Sequence, residues 1–215
     1  MNYEIKVQDK ISYIEEGTGE PLLLLHGLFG ALSNFEHLIE HFRHRNKVIV
    51  PILPLFDLDI FHSTVNGLEN VVQKFIEARG YTGIHLLGNS LGGHVGLVHV
   101  LKHPEKIKSL TLTGSSGLFE KAMGDSYPKR GDYDYIKNKT EETFYDPAVA
   151  TKELVDEVFE ITRNRLKVIK ILALAKSAIR SNLGPELSQI QQPTLLIWGN
   201  NDIVTPPYVG EEFHK

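Results

Sequence analysis

A serine hydroxyl attacks a carbonyl only when a base takes its proton and donors receive the charge on the attacked oxygen. Ser90 has the setting for such a role. It lies in Ile84-His85-Leu86-Leu87-Gly88-Asn89-Ser90-Leu91-Gly92-Gly93, where an apolar strand-like run meets helical spacing at once. The spacing Gly88-x-Ser90-x-Gly92 suits a sharp strand-to-helix turn that lifts the hydroxyl above a sheet edge. Such a turn strains the backbone at the serine and needs small residues two before and two after it. The amide of Leu91 would then open a helix and point outward as one charge-receiving donor. A second donor is expected in His26-Gly27-Leu28-Phe29-Gly30, at Leu28 or Phe29, where Gly27 and Gly30 let backbone approach a ligand. Asp202 closes Gly199-Asn200-Asn201-Asp202, where a carboxylate could orient an imidazole. Each residue also has a plainer reading. Ser90 would serve as a helix cap, Asp202 as a turn residue, and His26 as a structural hydrogen-bonding group rather than the base. His94, one helical turn after Ser90, is expected to pack beside the turn.

The surrounding pattern must supply strands and helices at the right places. Tyr3–Val7 and Ile11–Ile14 alternate around Asp9-Lys10 as a hairpin would. Leu22–Leu25, bounded by turn signals, suits a strand buried on both faces. Ser33 or Asn34 would cap a helix carrying Phe35, Leu38, Ile39 and Phe42. Lys47–Val50 reads as a strand, and the apolar positions from Val65 to Ile76 as a helix ended by Gly80. Ile84–Leu87 leads into the serine turn, a helix runs on to His103-Pro104, and Ile107–Leu112 is one more strand. This alternation predicts an α/β fold with a mostly parallel central sheet and helices on both faces. From Gly114 to Gln192 the rhythm breaks into a polar, turn-rich segment and then two helical patterns, around Leu154–Thr162 and Val168–Ile179. Pro193–Trp198 restores the strand pattern. The expected organisation is therefore a core of residues 1–113 and 193–215, with a helical insertion over 114–192 lying above the carboxyl ends of the strands.

Composition narrows the classes. A chain of 215 residues, 41% hydrophobic and 23% charged, is ordinary for a globular domain. A formal net charge of −4 gives no reason to expect nucleic acid. The absence of cysteine excludes disulfides, zinc thiolates and a cysteine nucleophile. No signal segment opens the chain and Leu166–Ile179 is interrupted by lysines, so no membrane partner and a cytoplasmic location are expected. The histidines show no metal-ligand spacing, and His37 with His41 has no third ligand nearby. No metal or cofactor is expected.

The order His-Gly-Leu-Phe-Gly, Gly-Asn-Ser-Leu-Gly-Gly, then Trp-Gly-Asn-Asn-Asp resembles the α/β-hydrolase superfamily. It is most similar to the small esterases and to the carbon–carbon bond hydrolases of aromatic meta-cleavage pathways. The resemblance implies Ser90 as nucleophile, Leu28 and Leu91 as oxyanion donors, Asp202 as the acid, and residues 114–192 as a cap over a small-molecule substrate. Serine rather than aspartate at position 90 separates the chain from the dehalogenase and epoxide hydrolase branches.

The pattern departs from the superfamily in one respect. The base histidine of such enzymes follows one further strand, and here the residues stop at Lys215. His214 is the only histidine after Asp202. A helix starting at Thr205-Pro206-Pro207 would carry it roughly 10 Å from the strand ends. The expectation is that the base, the last strand and the last helix are missing from a truncated chain, or come from a second chain or fragment. The strand at Thr194–Trp198 would then expose an edge and invite self-association or a complementing C-terminal segment. Two functional readings stand at this point. One is a serine hydrolase, or a lyase using the same groups, acting on a small ester, thioester or C–C bond. The other is a non-catalytic ligand-binding or interaction protein on the same scaffold. The insertion's aromatic residues and one methionine (Phe119, Met123, Tyr127, Tyr133, Tyr135, Phe144, Tyr145 and Phe159) suggest an apolar or aromatic pocket, or simple packing.

Overall fold

A computed structural model describes residues 3–29, 32–119 and 131–215. Seven strands form one sheet: β1 Lys6–Gln8, β2 Ile11–Glu16, β3 Glu20–Leu25, β4 Asn46–Pro51, β5 Ile84–Asn89, β6 Ile107–Thr113 and β7 Thr194–Ile197. Their spatial order is β1-β2-β4-β3-β5-β6-β7. The hairpin β1–β2 turns on Asp9 and Lys10, both at positive φ, and β2 pairs antiparallel with β4. From β4 onward every pairing is parallel.

The four leucines of β3 divide between two cores. Leu23 and Leu25 join the cluster that holds Ile49, Leu68, Val72, Val95 and Leu97. Leu24 joins Val48, Val50, Phe35 and Ile39 on the opposite face. Alternate side chains of a strand point to opposite faces, so an unbroken apolar run is what a sheet covered on both sides requires. Helices α2 Val65–Arg79 and α3 Leu91–Lys102 cover the first face, and α1 Glu36–Phe42 covers the second.

Helix α2 begins where its periodicity predicts. Thr64 accepts a hydrogen bond from the Gly67 amide, and Gly80 closes the helix in the left-handed conformation at φ 65°. Helix α1 corrects the sequence reading. A 3₁₀ turn over Leu32–Phe35 precedes it, so Phe35 rather than Ser33 or Asn34 occupies its cap position, with no side-chain cap bond. Buried Phe35 and Ile39 hold this helix by packing.

Residues 114–192 contain α4 Tyr133–Glu141, α5 Lys152–Arg163 and α6 Arg165–Arg180. The segment is more helical than its sequence suggests. Helix α4 buries only Ile136 and Thr140, too few to show a period, and Asp132 caps it through the Tyr135 amide. Helix α6 is tied to the core: Leu174 and Ala178 belong to the first cluster, Ser177 Oγ accepts from the Val65 amide, and Lys170 donates to the Phe56 carbonyl. Helix α7 Pro207–His214 follows β7, starting at the proline pair as expected. Among the described residues no helix is long and apolar enough to cross a membrane.

Candidate active site

The sheet order selects one end of the molecule for chemistry. After β3 the chain moves to β4 on one side, then returns to place β5 on the other side of β3. Loops leaving the carboxyl ends of β3 and β5 therefore diverge, and the crevice between them is where open α/β sheets bind ligands. The loop after β3 is His26–Phe29. The residue after β5 is Ser90.

Ser90 has φ 52° and ψ −119°, a strained backbone for a residue with a side chain, between β5 and α3. The surroundings hold it there. Its amide donates to the Thr113 carbonyl, and its carbonyl accepts from the amides of Gly93, His94 and Ser116. Small neighbours are needed for a measurable reason. A Cβ on Gly88 would stand 2.5 Å from Gly93 Cα, and one on Gly92 would stand 2.1 Å from the Leu25 carbonyl oxygen. The first glycines of α3 thus let its backbone pack directly on the ends of β3 and β5.

Gly27 brings the neighbouring loop against this turn. A Cβ added there would lie 3.2 Å from Ser90 Cβ and 3.3 Å from Asn89 Oδ1. Leu28 follows it, its side chain packed on the first core cluster. Among the described residues the amides of Leu28 and Leu91 have no hydrogen-bond partner. The arrangement is two free N–H groups beside one strained serine. Gly30, the other glycine assigned to this loop, lies outside the described residues.

His26 is held in a structural role. Its Nε2 accepts from the Leu53 amide at 2.9 Å, and its Nδ1 donates to the Gly27 carbonyl at 2.8 Å. Both ring nitrogens are therefore occupied. Burial lowers its pKa below the usual imidazole value, and the Gly27 carbonyl only partly offsets this. The ring joins the loop after β3 to the segment after β4, and so sets the position of Gly27.

Asp202 sits at the same end of the sheet. Its Oδ1 accepts from the amides of Val204 and Thr205, both at 2.8 Å, and its Oδ2 from Thr205 Oγ1 at 3.0 Å. A Cβ on Gly114 would stand 3.1 Å from Oδ2, which places the carboxylate against the end of β6. Thr113, next to Gly114, receives the Ser90 amide. Ser90 and Asp202 thus flank the end of β6 from opposite sides. No imidazole nitrogen of the ten histidines, all of them among the described residues, is hydrogen-bonded to either residue. His94 packs beneath the turn, fully buried, with neither ring nitrogen bonded. Burial lowers its pKa to about 4, against a smaller opposing effect of the Ser181 backbone.

Sequence reasoning missed several supporting groups. Asn89 donates to both the carbonyl and the hydroxyl of Thr113, which joins β5 to β6 just before the serine. Ser115 lies so close to α3 that a Cβ on Gly93 would meet its hydroxyl at 2.2 Å. Asn89 and Gly93 are visible in the sequence, but their partners lie more than twenty residues away. The spacing of the histidines also did not reveal that His99 and His103 lie beside Glu69 of α2.

Residues 20–148 match the family model of the alpha/beta hydrolase fold, and the chain belongs to that family. A lipase from Psychrobacter immobilis is 28% identical over 93% of this chain and 68% of the lipase. A 2-hydroxy-6-oxo-6-phenylhexa-2,4-dienoate hydrolase from Comamonas testosteroni is 29% identical over 91% of this chain and 76% of that enzyme. Among solved structures, an α/β hydrolase enzyme from a lagoon-sediment metagenome is 38% identical, with a TM-score of 0.79 over 98% of this chain and 82% of its own.

Proposed function

We propose that the protein is a serine hydrolase acting on a small carboxylic ester, thioester or C–C bond next to a carbonyl, with Ser90 as nucleophile. The single observation that carries this reading is the strained Ser90 backbone with the free amides of Leu28 and Leu91 beside it. A tetrahedral intermediate formed on Ser90 Oγ would place its oxyanion toward those amides. Strain of this kind costs of order 1–3 kcal/mol and persists only where the surroundings over-determine it. A simple helix cap needs neither the strain nor the second amide. The relatives named as a lipase and as a 2-hydroxy-6-oxo-6-phenylhexa-2,4-dienoate hydrolase agree with carbonyl chemistry.

In this proposal Asp202 orients a histidine base that is none of the ten in these residues. His26 is used by two backbone groups, His94 is buried without partners, and His214 lies on α7. The helices of residues 114–192 would form the cap over the substrate. Tyr133 packs on Phe159 and Phe119 on Tyr208, so these aromatics serve packing first. Met123 and Tyr127 lie outside the described residues.

The second reading, a non-catalytic binder, rests on Asp202, whose two carboxylate oxygens each accept hydrogen bonds from its own loop, as a turn residue's would. The two readings separate on treatment with a fluorophosphonate and a p-nitrophenyl ester. The hydrolase reading expects slow labelling at Ser90 and slow turnover, both abolished by Ser90→Ala. A chain missing one triad member retains roughly 10³–10⁴-fold over water. No labelling, or turnover unchanged in Ser90→Ala, would favour the binder. Fast labelling by the chain alone would show that one of its own histidines acts as base.

A further inference from the structure

At the end of α3 remote from Ser90, two imidazoles and a carboxylate converge. Glu69 of α2 is only 1% exposed and His99 of α3 is fully buried. Glu69 Oε1 lies 3.1 Å from His99 Nδ1 and 3.5 Å from His103 Nε2. The three ligand atoms all fall within 4.8 Å of one another. The other oxygen, Oε2, accepts from Lys102 Nζ at 2.6 Å. Nine residues of helix, at 1.5 Å each, separate His99 from Ser90 by about 13 Å along the axis.

We propose that Glu69, His99 and His103 form a binding site for a divalent transition-metal ion of the zinc class. Zinc held by imidazole nitrogen and carboxylate oxygen at roughly 2.0–2.2 Å in a tetrahedral site keeps its ligand atoms about 3.3–3.6 Å apart. The two separations from Oε1 lie close to that range. The ligand set, two nitrogens and one oxygen, suits zinc, cobalt, nickel or copper and not calcium or magnesium, which take oxygen. His103 is partly exposed, with a quarter of its side chain accessible (26%), so the fourth position opens to water.

Hydrogen bonding alone accounts for only part of this arrangement. His99 donates to Oε1, whereas the His103 approach to the same oxygen is an ion-pair distance without a hydrogen bond. The Glu69 carboxylate is held in place by His99 on one oxygen and Lys102 on the other. Lys102 is the competing cation. Its side chain is 40% exposed and free to swing into solvent when a metal ion takes over the charge of Glu69. A bound ion would clip α2 to the last turn of α3.

The probes are Zn(II) and Co(II) with the full chain. Expected are one equivalent bound, a visible Co(II) absorption band of tetrahedral intensity, and a raised thermal midpoint. Metal at 100 times its Kd shifts the unfolding equilibrium about 100-fold. Removing a ligand should weaken binding by no less than the roughly 10–100-fold lost on removing a supporting partner. His103→Ala, at the exposed corner, tests this with little risk to folding, and Glu69→Gln tests it again. Lys102→Ala should tighten binding, an effect that an adventitious histidine site elsewhere would not show. No band at one equivalent, or affinity unchanged in both His103→Ala and Glu69→Gln, overturns the site.

Discussion

His94 shows how one residue near the turn governs behaviour that its spacing cannot reveal. Four residues after Ser90 it must face the same side of α3, so packing beside the turn was legible. That neither ring nitrogen finds a partner depends on what covers α3, and on Gly117 lying close to the ring. The folded chain holds this imidazole at a pKa of about 4, below the 6.5 of the unfolded chain. As pH falls through 6.5 the unfolded chain binds a proton that the buried ring refuses. Stability is therefore lost between pH 6.5 and 4 and levels off below that. At pH 5 the loss from this residue is about 2 kcal/mol. His94→Leu should remove that part of the slope, so urea midpoints at pH 7.5 and 5 should differ less in the variant. His26, also depressed by burial, leaves a residual slope of the same sign. A variant whose midpoints track the parent at both pH values would refute the assignment.

At the level of elements, caps and close contacts decide where helices begin. Thr64 and Gly80 bound α2 as their residue types predict, because a hydroxyl acceptor and a left-handed glycine act locally. Helix α1 follows tertiary contact instead, and α4 shows no helical period in the sequence because it buries one apolar side chain and one threonine. Helix α6 depends on Asn164, whose side chain accepts from the amides of both Leu166 and Lys167. Asn164→Ala should cost about 1 kcal/mol, the usual loss for a side-chain cap. A lowered urea midpoint with an unchanged m value would report it. Because Ser177 joins α6 to the start of α2, protease cleavage within residues 150–180 should also accelerate. Unchanged stability would mean that packing of Leu174 and Ala178 alone holds the helix.

For the molecule as a whole, the exposed margin is β7. It pairs with β6 on one side, and no described strand pairs with its other edge. Leu195 is 57% and Ile197 49% exposed on this strand. Free backbone groups beside exposed aliphatic side chains invite pairing. We propose that a second copy of the chain pairs there, so that elution from a sizing column shifts toward a dimer as concentration rises. Leu195→Lys should hold the chain monomeric by placing a charge in the new edge contact. A concentration-independent monomer before mutation would exclude the contact.

Local rules determined much of this protein from its sequence. The glycine-flanked serine, the doubly buried β3, the α2 boundaries and the proline start of α7 all depend on backbone conformation or on side-chain period. Those effects act over a few residues, so they can be read in order. Tertiary structure decided the rest. Gly93 must be small because Ser115 lies across from it, and His26 is structural because Leu53 donates to it. Glu69 meets His99 and His103 only because α2 packs against α3. These contacts join residues 22 to 34 positions apart, and only the register of the sheet and the packing of helices bring them together. The same holds for Ser90, whose neighbours at Gly27 and Thr113 come from different strands. Its strain is suggested by spacing, but its setting is a property of the assembled sheet.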